Sequence, residues 1–138
     1  MLSNRPRHGL EGAATIPVIS SRFYTVAIDS ADPSALARFW AQVLDFQIVS
    51  EEPNEVVVAR DDDIYPAVVF VPVPEPKTIK NRLHIDLAPD DRDAEVARLL
   101  ELGAHRVDIG QGPDVSWPVL ADPEGNEFCV LSTRDGGL

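Results

Sequence analysis

His84 and Asp86 stand two residues apart in the alternating segment Arg82-Leu83-His84-Ile85-Asp86-Leu87, and in a strand that spacing sends both side chains to one face. Two rises of a pleated strand separate them by about 7 Å, close enough for the carboxylate to orient the ring. An imidazole so placed can anchor a polar ligand or act as a general base, with Asp86 tuning its charge. The same pair also reads as a satisfied histidine in a structural network. Arg82 can bind a carboxylate or face solvent, and Trp117 can stack on a planar ligand or pack at a rim. Cys129 is the sole cysteine, so no intramolecular disulfide can form; it reads as a buried neutral thiol or a reactive one. No Ser-His-Asp order, Gly-rich phosphate loop or dinucleotide fingerprint accompanies them. Asp61-Asp62-Asp63 lacks the glycine and distal glutamate of a calcium loop and reads as a solvated turn.

The elements that must hold these residues fall into two similar halves. Residues 23–28 are β-branched and aromatic, which predicts a strand. Asp32 then caps a helix with Pro33 in its first turn, and Leu36, Phe39, Trp40, Val43 and Leu44 form its buried stripe. Residues 47–50, 55–60 and 67–71 read as three more strands, ended by a linker containing Pro72, Pro74 and Pro76. The second half repeats the plan. A strand at 82–87 precedes a helix capped by Asp91, with Val96, Leu99 and Leu100 as its stripe and Gly103 at its end. Strands at 104–109, 116–121 and 127–132 follow, the last two joined through Asp122-Pro123-Glu124-Gly125-Asn126. Asp32 overlays Asp91 and Thr25 overlays His84 at the same offset, and Phe39 overlays Leu99 with a one-residue slip. Such a repeat implies two modules, each with a sheet face it cannot bury alone.

Composition narrows the function classes. Hydrophobic residues make up 44% and charged residues 25% of the 138, as in ordinary globular domains. A formal net charge of −11 repels phosphate backbones and anionic lipid, so nucleic-acid and membrane partners are disfavoured. The same charge suits a cationic small ligand, although it also serves solubility. No apolar run approaches the roughly 20 residues of a membrane span, and no h-region follows Arg5 and Arg7. The expectation is a cytoplasmic protein with a flexible leader over residues 1–21, a domain over 22–133 and a tail over 134–138.

Several segments resemble the glyoxalase/bleomycin-resistance, or vicinal oxygen chelate, superfamily. Asp32-Pro33, Phe39-Trp40 and Leu44-Asp45-Phe46 are similar to its D-P…F-W…L-G-F opening. Asn81-Arg82-Leu83-His84-Ile85-Asp86-Leu87 resembles its fifth strand. Leu102-Gly103-Ala104 and the run from Asp122 to Leu131 resemble its second helix end and last hairpin. The resemblance implies an α+β fold: two tandem βαβββ modules, residues 22–73 and 81–133, forming a cupped mixed sheet with helices on the outer face.

In metal-dependent members four ligands point into that cup, two from each module. The resemblance places those positions at Thr25, Val71 (or Phe70), His84 and Cys129. Only His84 is a standard ligand, and a thiolate can add one more, so no metal is expected there, although a divalent ion stays open. The ligand-binding set is then Thr25, Val71, His84, Asp86, Trp117 and Cys129. Two functions follow from the resemblance. One is a metal-free small-molecule binder of the drug-sequestering type, and relatives imply a homodimer. The other is a lyase, isomerase or oxygenase acting on a small carbonyl or vicinal-oxygen compound through His84.

Overall fold

The computed structural model describes residues 2–3, 21–61, 64–107 and 118–132. Module one runs β1 (Thr25–Ser30), α1 (Pro33–Leu44), β2 (Gln47–Glu52), β3 (Glu55–Ala59) and β4 (Ala67–Pro72). Module two runs β5 (Asp86–Leu87), α2 (Arg92–Leu102), β6 (His105–Arg106), β7 (Val119–Ala121) and β8 (Glu127–Val130). Each module makes a four-stranded mixed sheet, in the order β1-β4-β3-β2 and β5-β8-β7-β6. Each first strand lies at an edge, parallel to the last strand of its module, and all other pairs are antiparallel. The two halves thus share one topology. Leu2–Ser3 form a short antiparallel ladder with Ile64–Tyr65.

Both helices start as their sequences dictate. The Asp32 and Asp91 carboxylates accept from the amides of Ala35 and Ala94 and satisfy donors in the first turn. Helix α2 ends on Gly103, whose φ of 119° a side chain would resist. Helix α1 ends on Asp45 at φ 56°, where the family pattern has glycine.

Register divides each sheet into two faces. In module one Val26, Ile28, Val56, Val58, Val68 and Phe70 point to the helix side, and Val56, Val58 and Phe70 are at most 2% exposed. Thr25, Ala27, Asp29, Val69 and Val71 share the opposite, concave face. In module two Leu87, Leu120, Phe128 and Val130 meet the core with Val96 and Leu99 of α2, leaving Asp86, Val119 and Cys129 on the other face. One hydrophobic cluster takes in both modules. Trp40 joins them: its ring meets Phe128 edge-on with centroids 5.0 Å apart.

Several boundaries differ from the sequence reading. Strand β1 starts at Thr25 because its partner β4 begins at Ala67, and the aromatic pair Phe23 and Tyr24 is exposed. Strand β5 is shorter than 82–87, since Arg82 and Leu83 bend after Asn81, whose amide is bonded to Glu127. Strand β6 covers His105–Arg106 among the described residues 104–107 of the expected 104–109. Residues 108–117 lie outside the described residues, and Trp117 and the first part of its strand with them. Among the described residues no helix is long and apolar enough to cross a membrane.

Candidate functional site

A groove of about 730 Å³ lies between the two modules, lined from one side by Val26, Ala27, Ile28 and Asp29 of β1 and from the other by residues 81–85. Trp40 and Phe128 reach its floor, and the linker residues Val73, Glu75, Pro76 and Lys77 flank it. It forms there because both first strands are sheet edges and approach each other without a ladder between them among the described residues.

Three acids of module two build the groove's frame. Asp122, fully buried, accepts from the Trp40 indole Nε1 at 2.9 Å, from the amides of Glu124 and Asn126 at 2.9 Å each, and from Asn126 Nδ2. Glu124 reaches across the seam: Ser30 Oγ donates to it at 2.7 Å, and the amides of Ala31 and Asp32 donate at 2.9 and 3.0 Å. Glu127 ties down the linker, accepting from Lys77 Nζ and from the Asn81 amide, both at 3.0 Å. Burial alone would raise the Glu127 carboxyl pKa. The bonds from Asn81 and Lys77, its own amide and the Lys77 charge outweigh burial and hold it below the ordinary carboxylate value. The turn motif marked these residues as a hairpin, but nothing in the sequence named their distant partners.

The sequence-predicted residues separate into three groups. His84 lines the groove. Asp86 and Cys129 lie behind it on the concave face, and one donor atom each from His84, Asp86 and Cys129 lie within 4.8 Å of one another. The ladder explains why: Asp86 and Cys129 are register partners in a parallel pair, and His84 precedes Asp86 by two residues on the same face. Thr25 and Val71 sit on the concave face of module one; neither lines the groove, but Val71 is the ladder partner of Asp29, which does. Of the pair Val71 and Phe70, Phe70 is fully buried beneath α1 and Val71 faces the cup. Asp29, on the Thr25 face and on the groove, went unrecognised, although a period of two from Thr25 points to it.

The comparisons with known proteins bear on this arrangement. A family model described as the glyoxalase-like domain matches residues 25–131, from the first residue of β1 to just past β8. The chain belongs to that family. No curated protein matches it. Among solved structures, a glyoxalase/bleomycin resistance protein/dioxygenase family enzyme from Burkholderia phytofirmans PsJN superposes with a TM-score of 0.63 at 21% identity, over 82% of this chain and 99% of that one. Oxidase ChaP-H2 gives a TM-score of 0.59 at 16% identity, over 86% of this chain and 100% of the other. A bleomycin-binding protein from Streptomyces verticillus, complexed with copper(II)-bleomycin, gives 0.54 at 15% identity over 85% and 100%. At these identities the likeness is one of fold. These structural neighbours include a binding protein and an oxidase.

The ligand set that the glyoxalase-like resemblance implies for a metal shared by both modules does not fit this chain. Thr25 offers a hydroxyl and Val71 an alkyl group, so module one contributes no standard donor. By ladder register the counterparts of His84, Asp86 and Cys129 in module one are Thr25, Ala27 and Val69, and the last is as apolar as Val71.

Proposed function

We propose that this protein binds an organic small molecule in the groove between its modules, in the manner of drug-sequestering members of its family, with no metal shared across the two halves. The observation that carries this reading is the groove itself. Its volume of about 730 Å³ falls within the 300–1,000 Å³ range typical of small-molecule sites. Its walls combine the apolar Val26, Ile28 and Val73 with the polar Asp29, Arg82 and His84. Thr25, Val71, Asp86 and Cys129 extend the ligand-binding set onto the concave face beside it. The bleomycin-binding relative supports a binding role, and the net charge of −11 favours a cationic ligand. On this reading the protein works in the cytoplasm as a homodimer, for which the exposed Phe23, Tyr24, Ile79 and Leu83 supply apolar surface.

The test is a thermal-shift screen of planar cationic compounds and their uncharged analogues in a chelating buffer. A ligand at 100 times its Kd adds about 2.7 kcal/mol to stability, a rise of several degrees for a domain of this size. The Ala27→Trp variant, which fills the groove from β1, should abolish that rise. A rise that persists unchanged in this variant, or none with any compound, sinks the reading.

The convergence of His84 with Asp86 and Cys129 favours a second reading: a lyase, isomerase or oxygenase acting on a small carbonyl or vicinal-oxygen compound. It requires turnover of such compounds that disappears in His84→Ala.

A further inference from the structure

We infer that the groove takes its ligand as an added strand: a short, extended, peptide-like molecule whose amides bond the open edges of β1 and of the segment leading into β5, and whose basic side chain meets Asp29. The inference rests on the binding role proposed above and names the chemical class of the ligand.

The lining itself shows that the groove looks onto strand edges. Val26 and Ile28 point to the helix side of their sheet, and Ala27 and Asp29 to the concave side, yet all four line the groove. A cavity meets consecutive residues from both faces of a strand when it runs along that strand's edge. Residues 81–85, also consecutive, form the other wall.

The hydrogen bonds already made say which backbone groups are open. In a parallel ladder alternate residues turn both N–H and C=O to one neighbour, and the residues between them turn theirs to the other side. The Tyr24 and Ser30 carbonyls accept from the Ala67 and Val73 amides at 3.1 and 2.9 Å, so the even-numbered residues of β1 serve β4. Ala27 and Asp29 therefore direct their backbone groups to the groove. On the other wall the Ile85 and Leu87 carbonyls accept from the Cys129 and Leu131 amides at 3.0 and 2.8 Å, which turns the N–H and C=O of His84 away from β8. Among the described residues no backbone partner meets Ala27, Asp29 or His84 on that side. Such groups are satisfied by water, or by a ligand with the same alternation of donors and acceptors. A peptide in extended form is that ligand.

Size and side chains fit this occupant. Rise, strand spacing and sheet spacing of about 3.3, 4.8 and 10 Å give a strand residue about 160 Å³, so the groove's volume of about 730 Å³ holds roughly four residues. The β1 wall, Val26 to Asp29, is of matching length. An inserted strand alternates its side chains between two surroundings. On the helix side Val26, Ile28, Trp40 and Phe128 receive apolar groups. On the concave side the exposed Asp29 carboxylate, without an ion pair among the described residues, receives a basic one. The groove thus reads apolar and basic side chains in alternation.

The test titrates the full-length chain calorimetrically with the capped tetrapeptide acetyl-Val-Lys-Val-Lys-amide, in the chelating buffer used for the planar cations. One peptide should bind per chain, and none to Ala27→Trp. N-methylation of both Lys amides deletes two donors that face one wall and should weaken binding at least about tenfold. The reordered peptide acetyl-Val-Val-Lys-Lys-amide, of equal charge, should bind at least about fivefold more weakly, and Asp29→Asn should cost the original peptide a similar factor. Absence of peptide binding, an N-methylated or reordered peptide bound as tightly as the original, or unchanged affinity in Asp29→Asn overturns the inference. A planar cation that raises the melting temperature while the peptide fails to bind overturns it and leaves the binding role standing; when neither binds, both fall.

Discussion

Removing the Asp122 carboxylate should cost more stability than any surface substitution in this chain. The group is fully buried and accepts from the Trp40 indole, two backbone amides and the Asn126 side chain. In Asp122→Ala the Trp40 N–H, in a residue only 2% exposed, loses its acceptor. An unsatisfied buried donor costs about 1–3 kcal/mol, and the part-buried amides of Glu124 and Asn126 can recover some hydration. The total should come to about 3–5 kcal/mol, a large share of the 5–15 kcal/mol that holds an ordinary domain together. Urea unfolding followed by far-ultraviolet circular dichroism measures it directly. A double-mutant cycle with Trp40→Phe, which keeps the ring contact to Phe128 but deletes the donor, should return a coupling of about 1–2 kcal/mol. A cost below about 1 kcal/mol for Asp122→Ala, or a coupling near zero, would refute the claim that this carboxylate pins the two modules together.

Two other outcomes test the local physics. Asp45→Gly relieves a left-handed residue at the end of α1 and should raise stability by about 0.5–1 kcal/mol, read as a higher melting temperature. Glu127 contributes stability that is present above the ordinary carboxylate pKa and is lost as the pH falls through its depressed folded value. Glu127→Gln should therefore lose less stability than the native chain between pH 7 and about pH 3, measured by urea midpoints; an identical acid dependence in both would contradict the assigned cause.

The periodic elements were legible because their causes are local. Asp32-Pro33 with Leu36, Phe39, Trp40 and Val43 contains the cap, the first turn and the stripe of α1, and the observed helix follows them. Gly125, at φ 94°, bears out the hairpin turn in the same way. The sites of failure all involve long-range pairing. The shortened β5 reflects Glu127 holding Asn81, 46 residues away, and the first strand shifted because Ala67 sets its start. The site shows the same division. Alternation put His84 and Asp86 on one face, but it was the parallel register that brought Cys129 opposite Asp86, and register between distant strands leaves no mark on either segment. From alternation alone Asp86 is a neighbour of the imidazole, and its proximity to Cys129 appears only with the fold.

The acids of module two also change how the net charge should be understood. Of the five carboxylates lining the groove, Asp122, Glu124 and Glu127 already accept hydrogen bonds from the protein. Their charge is met by amides, an indole, a hydroxyl and Lys77, so it stabilises the seam and is not available to bind a ligand. What a ligand meets is the exposed pair Asp29 and Glu75 against Arg82, a small local excess of negative charge in a chain whose total is −11. Affinity for a cation should then depend on one or two specific carboxylates and vary little with substitutions elsewhere on the acidic surface, where salt screens charges beyond about 10 Å. On the proposed binding role, overall charge would steer the encounter, and the residues at the two facing edge strands would select the ligand.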